Sequence, residues 1–314
     1  MDVASLHAHG GWRRALACGL SLAPLLSGCE GREIEPLDIE RLAFVPPGLC
    51  IIGRVDCSTD EPLLVDRFEV TREHWLAIMG GELRPSPAFR KHWTSDTRRH
   101  PASGMDLAEA VTFAGRRGMR IPTVSEWMRI ATGTAAQPWP WSAQDRESAA
   151  NLEELGLGRT APVGTFQRGC TTDGIHDMLG NVWEWTEPPL PAYAIPSAAI
   201  SDTAVHTQPC WVMGGSFRSG ARTLHGHDRK RNLYFFAEAV DPRHRGMDIG
   251  LRCVAEAEVY LWERAREWTD PALRPRLAAV GEEWGRRAVV LLERLTRRPA
   301  APAALTWILE GALR

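Results

Sequence analysis

"GIHDMLGNVWEWTE", residues 174–187, sets two carboxylates, Asp177 and Glu184, around a Gly–Asn pair and two tryptophans. Calcium takes roughly six to eight hard oxygen donors and accepts backbone carbonyls where a tight turn aims them inward. Here the side chains of Asp177 and Glu184 would supply carboxylate oxygens, and a turn permitted by Gly180 and Asn181 would offer the carbonyls of Gly180 and Val182. Trp183 and Trp185 would then bury their rings on either side of that turn, unless Trp183 lines a pocket. The same residues also read as an acidic turn that hydrogen-bonds to its own backbone.

Working outward, the chain from Leu42 to Val254 is rich in Gly, Pro and Trp, with short apolar stretches such as "LLVDRFEV" (63–70) and "CWVMGGSF" (210–217) between turns. Brief strands are expected there. Three segments read as helices. "REHWLAIMG" covers 72–80. "DLAEAVTFAGRRG" covers 106–118, with Asp106 as cap and Gly118 as terminator. "TVSEWMRIATG" covers 123–133, with Thr123 and Glu126 in capping-box spacing. After Val254 the composition changes. "LRPRLAAVGEEWGRRAVVLLERLTRR" (273–298) puts Leu273, Leu277, Val280, Trp284, Ala288, Leu291 and Leu295 on one helical face. The opposite face mixes Glu282, Glu283, Arg286, Arg287, Glu293 and Arg294, as a solvated surface does.

The 314 residues are 44% hydrophobic and 24% charged, and their formal net charge is −2. No broad basic field exists to drive nucleic-acid binding. At the N-terminus, Arg13 and Arg14 precede the apolar run "ALACGLSLAPLLSG", which ends at Cys29. That order reads as a secretory signal with a lipobox, so residues 1–29 form a lipoprotein signal, and Cys29 is the expected lipidation site and membrane anchor. Residues 30–41 read as a tether, 42–254 as the main domain and 255–314 as a helical extension. Glu30 is not the aspartate linked with inner-membrane retention, so resemblance to known lipoproteins favours the outer membrane within the cell envelope. Cys50, Cys57, Cys170, Cys210 and Cys253 would then meet an oxidising compartment. Cys50 and Cys57 bracket "IIGRVD" and are placed to close a hairpin. Spacing leaves the connectivity open, and buried thiols acting as small hydrophobes are the other reading.

The series "DRFEVTREHW" (66–75), "RIPTVSEW" (120–127), "APVGTF" (161–166), "GNVWEW" (180–185), "GGSF" (214–217) and "GLR" (250–252) resembles the formylglycine-generating enzyme family, also called the sulfatase-modifying-factor family. The resemblance covers about residues 42–254. It implies an α+β, variant C-type-lectin-like fold that is low in regular secondary structure, stabilised by calcium, and carries a pocket on one face. It also places the family's better-defined calcium site on Asp177, Gly180, Val182 and Glu184. A second calcium site starts at Asn151 and Leu152, but its later aspartate aligns with Leu155, leaving only Glu153 or Glu154 to compensate. The family's late structural cysteine persists as Cys253, while the position of its partner holds Val111.

The decisive departure lies in "GGSFRSGARTLHGHDRKR" (214–231). The family's oxidases carry two cysteines after "GGS" that bind copper and activate oxygen to make formylglycine. Here those places hold Ser219 and Leu224. A hydroxyl and an isobutyl group cannot replace a soft thiolate pair, so copper is not expected. Ser216, Ser219, Trp183 and Arg222 remain as pocket candidates. His225, His227 and Asp228 offer a candidate transition-metal set, since His225 and His227, two apart, would face one way on an extended segment. A serine nucleophile is excluded, because neither Ser216 nor Ser219 lies in a "GxSxG" elbow.

Two functions compete. One is a non-catalytic binding or maturation module on a lipoprotein, with a peptide, small molecule or exported protein as partner. The other is an oxygen-dependent, metal-using oxidoreductase with a non-cysteine active site. A maturation partner acting through the helical extension is a third possibility.

Overall fold

The computed structural model describes residues 38–52, 55–80, 97–134, 149–187, 210–220 and 237–314. Cys29 and most of the expected tether, together with Arg222, Leu224, His225, His227 and Asp228, lie outside the described residues. In chain order the strands are β1 (Leu42–Val45), β2 (Ile51–Ile52), β3 (Val55–Asp56), β4 (Leu63–Asp66), β5 (Trp183–Trp185), β6 (Cys210–Met213), β7 (Ala237–Val240), β8 (Ile249–Gly250) and β9 (Val254–Glu256). The helices are α1 (Arg72–Met79), α2 (Leu107–Arg116), α3 (Val124–Thr132), α4 (Ala257–Arg264), α5 (Arg274–Trp284), α6 (Arg286–Thr296) and α7 (Ala303–Ala312).

Two sheets organise the core: an antiparallel β1-β4-β9 sheet and a mixed β7-β6-β5-β8 sheet, with β2-β3 as a separate hairpin. "LAFV" and "LLVD" are buried along their whole length because both faces of the first sheet are covered. Side chains alternate across a strand. Leu42, Phe44 and Leu64 accordingly pack into one apolar layer, with α1, α2 and the C-terminal helices. Ala43, Val45, Leu63 and Val65 enter a second layer, with α3, the hairpin cysteines and Trp211. The same alternation sends Cys210 and Val212 of β6 one way and Trp211 and Met213 the other.

The first three helices start where local chemistry says they should. Thr71 Oγ1 accepts from His74 N at 3.2 Å, and α1 ends on Gly80 at φ 71°. Both expected capping boxes form, Asp106 with Glu109 and Thr123 with Glu126. Each cap is worth about 1 kcal/mol.

Two boundaries differ from the sequence reading. Asp38–Arg41, expected to belong to the tether, is a helical turn with Ile39 buried. It is held because Asp38 accepts from Arg117 Nε and Nη2, each at 2.9 Å. The expected break after Val254 falls inside β9, which pairs with β4. The helical extension begins its apolar face with two helices, α5 and α6, separated at Gly285 with φ 62° and ψ −159°. Leu277, Val280, Trp284, Ala288, Leu291 and Leu295 are all buried, so the apolar face survives the break. Trp284 Nε1 donates to Leu42 O at 3.0 Å, which seats α5 on β1. Between α5 and α7, Gly281 and Gly311 are required by close approach. A Cβ at either would lie 1.8 Å from a carbonyl oxygen of the other helix, Ile308 O or Ala278 O.

Arg117 ties the helical turn before β1 to the last residue of β4, which pairs with the first residue of β1. It is fully buried and binds Asp66 (2.7 and 2.8 Å) as well as Asp38. His74 faces the same cluster, with Nε2 3.4 Å from Asp38 Oδ1. Burial and the Arg117 charge, with a smaller push from Arg41, outweigh Asp38 and Asp66 and lower its pKa from 6.5 to about 4. Between those values the unfolded chain binds a proton that the folded chain refuses, so stability is lost as pH falls from 6.5 towards 4. The loss should reach on the order of 3 kcal/mol. Asp177 and Glu69, both raised by burial, act in the opposite sense over the same window, so the His74 contribution is read as a difference: urea midpoints of the native chain should drop relative to those of His74→Gln as pH falls from 6.5 to 4. An unchanged slope in the variant would refute the assignment.

Candidate functional site

The 174–187 motif is built around a turn in which Asp177, Gly180 and Asn181 all have left-handed φ, at 57°, 76° and 62°. Gly180 is obligatory, since a Cβ there would lie 2.3 Å from Asn151 O. Asn181 is the hub. Its N–H donates to Asn151 O (2.8 Å), its Oδ1 accepts from Ala161 N (2.8 Å) and Asn151 Nδ2 (3.1 Å), and its Nδ2 donates to Glu69 Oε2 (2.6 Å). Glu69 Oε1 accepts from Val182 N at 3.1 Å.

Glu184 faces the interior. Its carboxylate accepts from Trp127 Nε1 at 2.7 Å and from Arg252 Nη2 at 2.8 Å and Nε at 3.1 Å. Arg252 is itself fixed by donating to Asp66 O (2.7 Å) and His176 O (2.8 Å). Asp177 is buried, and its Oδ2 accepts from Gly164 N at 2.6 Å. Trp185 is fully buried with Nε1 donating to Met105 O, whereas Trp183 is half-buried between the two apolar layers.

Three buried carboxylates, Glu69, Asp177 and Glu184, thus sit near one buried guanidinium. Burial, then the charges of Asp177 and Glu184, push Glu69 well above the usual carboxylate range. Burial likewise lifts Asp177 to about 6. That excess negative charge suits a cation at the turn. The expected donors fit it unequally, because Glu184 is already matched by Arg252 and Trp127 while Asp177 has no cationic side chain hydrogen-bonded to it in the described network. Among the described residues no group of three or more His, Cys, Asp or Glu side chains converges as a metal cage. At the second expected site, Asn151 Oδ1 is buried without a hydrogen-bond partner, an oxygen that a hard cation would take. Leu152 is buried, but Glu153 and Glu154 point to solvent.

The pocket candidates gather on the loop after β6. Ser216 is fully buried, and its Oγ donates to Asp248 Oδ2 at 2.9 Å. Ser219 Oγ accepts from Ser216 N at 3.0 Å. Trp183 N donates to Asp248 O at 2.8 Å, which brings Trp183, Ser216, Ser219 and Asp248 together. Glu238 on β7 is raised by burial and then by Asp248. Cys253 is fully buried beside Asp66, while Val111 is 49% exposed on the outer face of α2. A separate cleft of about 390 Å³ opens by β4 and α1, lined by Glu40, Asp66, Phe68, Glu69, His74 and Arg99 among others.

Glu69, Trp127, Asp248 and Arg252 were missed as site residues by sequence reasoning. Three of them sit inside quoted motifs, "DRFEV", "SEW" and "GLR". Nothing local marks them, because each finds its partner far along the chain.

A family model described as the sulfatase-modifying factor enzyme 1-like domain matches residues 38–257. The formylglycine-generating enzyme of Mycobacterium tuberculosis is 28% identical over 231 residues, 66% of this chain and 73% of that protein. The hercynine oxygenase of Mycolicibacterium thermoresistibile is 38% identical over 266 residues, 76% of this chain and 56% of that protein. The chain therefore spans little more than half the length of that oxygenase. Among solved structures, Treponema denticola variable protein 1 matches with a TM-score of 0.50 at 16% identity, over 68% of this chain and 94% of that one, a likeness of fold.

Proposed function

The chain belongs to the sulfatase-modifying factor enzyme 1-like family, and on that premise we propose that it acts as a binding or maturation module without thiolate–copper chemistry. It is exported under residues 1–29 and held to the cell envelope, with the outer membrane favoured, by lipid on Cys29. Its pocket takes a peptide, a small molecule or a segment of an exported protein. The observation that carries this reading is the closed hydroxyl network of the "GGSFRS" loop. Ser219 caps Ser216 N, Ser216 is tied to Asp248, and no cysteine occurs between Cys210 and Cys253. Copper in this family needs a soft sulfur pair, and hydroxyl and carboxylate donors do not fit it.

Calcium belongs to the same proposal. Asp177 with the carbonyls of Gly180 and Val182 would hold one ion, and Asn151 with the Leu152 carbonyl a second, weaker one. The ion would supply fixed positive charge against Glu69 and Asp177 and tie the 149–156 and 174–187 segments together. Glu184 supports the turn by holding Arg252 and Trp127.

The similarity to proteins named hercynine oxygenase favours a second reading, an oxygen-dependent metalloenzyme. His225, His227 and Asp228 are its candidate ligands. One experiment separates the two. Purified without a histidine tag and incubated with peptides bearing "CxPxR", the protein should yield no formylglycine by mass spectrometry. Elemental analysis should find calcium without stoichiometric iron or copper. Formylglycine, or a transition metal lost on substituting His225 and His227, would overturn the first reading.

A further inference from the structure

We propose that Cys50 and Cys57 form a cross-strand disulfide that locks the two strands of the β2–β3 hairpin together where it packs beneath α3. The hairpin register pairs Ile51 with Asp56 and Ile52 with Val55, so Cys50 and Cys57 stand directly opposite each other one step outward. Cys57 N donates to Cys50 O at 2.8 Å, and the ladder continues to the Gly48–Thr59 bridge. Directly opposed residues joined by a backbone hydrogen bond have Cα atoms about 5.5 Å apart. That lies within the span of about 4.4–6.8 Å that a disulfide bridges without backbone movement.

Opposed side chains also leave a sheet on the same face. The partners of the two sulfurs agree: Cys50 Sγ lies 3.7 Å from Thr132 Oγ1, and Cys57 Sγ lies 3.9 Å from Met128 Sδ. Thr132 and Met128 are one turn apart on α3 and hydrogen-bonded to each other at 2.7 Å. Both cysteines are buried, at 2% and 0% exposure, so the bond would sit beneath the helix.

The oxidant is a disulfide-bearing thiol oxidoreductase or oxidised glutathione. Cys57 thiolate attacks one of its sulfurs, giving a mixed disulfide and releasing one thiol. Cys50 thiolate then attacks the Cys57 sulfur, the protein S–S bond forms, and the second oxidant thiol leaves. Two electrons and two protons pass to the oxidant. Burial, reinforced by Cys50 and Asp56, pushes the Cys57 thiol up to about 12, so thiolate is scarce once α3 is seated. Exchange therefore runs while the hairpin is open during folding, and the finished bond is shielded from reductant by the same cover.

The full chain should be refolded from denaturant in mixed oxidised and reduced glutathione, alkylated, and digested without reduction. Trypsin cuts after Arg54, between the two cysteines. Mass spectrometry should recover the two flanking peptides joined, lighter by two hydrogens than their sum, with Cys57 alkylation near background. Refolding under reductant should lower Tm by about 5 °C. The Cys50→Ala/Cys57→Ala chain should lose that sensitivity to reductant. Alkylation of both cysteines after oxidative refolding, or linkage of Cys57 to another cysteine, overturns the proposal whatever the variant does.

Discussion

Arg252→Met should destabilise the fold by about 3–5 kcal/mol, the cost of stranding a buried charge by removing its partner. The substitution keeps much of the side-chain volume, so the loss is electrostatic and polar. Glu184 would retain only the Trp127 indole, and Glu69 and Asp177 would lose the cation that offsets them. Asp66 O and His176 O would also lose donors. Arg252→Lys should recover only part of this, because an ammonium cannot present the planar fork that reaches Glu184 and both carbonyls. The double variant Arg252→Met/Glu184→Gln should be more stable than Arg252→Met alone, since it removes one stranded charge. Urea unfolding of the four chains measures all of this. A loss below about 1 kcal/mol for Arg252→Met would show that the carboxylates do not depend on it.

Gly281→Leu should detach α7 from α5 and lower stability by about 3 kcal/mol or more. The contact is backbone against backbone: even the first side-chain carbon at Gly281 would fall 1.8 Å from Ile308 O, and the same holds for Gly311 against Ala278 O. No rotamer relieves such an overlap, so one helix must move bodily and uncover Leu277, Leu305 and Ile308. Limited proteolysis near Arg298 and urea unfolding should both report the change. Gly115→Ala is the control. It lies inside α2, a Cβ there meets nothing within 4 Å, and the change should be neutral or stabilising by up to about 1 kcal/mol. Equal effects at Gly281 and Gly115 would refute the crossing argument.

What could be read from the sequence was what is encoded within a few residues. The capping boxes at Asp106–Glu109 and Thr123–Glu126 satisfy backbone donors three positions away, so spacing alone reveals them. The need for Gly–Asn at 180–181 was legible as a turn. Its reason was not: Asn151 O presses on Gly180, and Glu69 meets Asn181 across 112 residues. Glu184 reads as an ion ligand from its neighbours, and only the fold shows Arg252 beside it, 68 positions on. Helical periodicity likewise passed over Gly285, because α5 and α6 keep their apolar residues on the protein side of the break. Gly281 and Gly311 read in sequence as weak helix formers. Their value exists only where two axes meet.

The β1-β4-β9 sheet has a consequence for biogenesis. Its closing strand lies far down the chain from its centre, with Cys253 N–H bonded to Asp66 across 187 residues. A growing polypeptide must hold β4 with one bare edge until almost the whole family domain has emerged. Long-range closure of this kind is slow. Chains stopped short of Val254 would carry an apolar strand with an unfilled row of amide groups, a target for quality-control proteases and for pairing with other nascent copies.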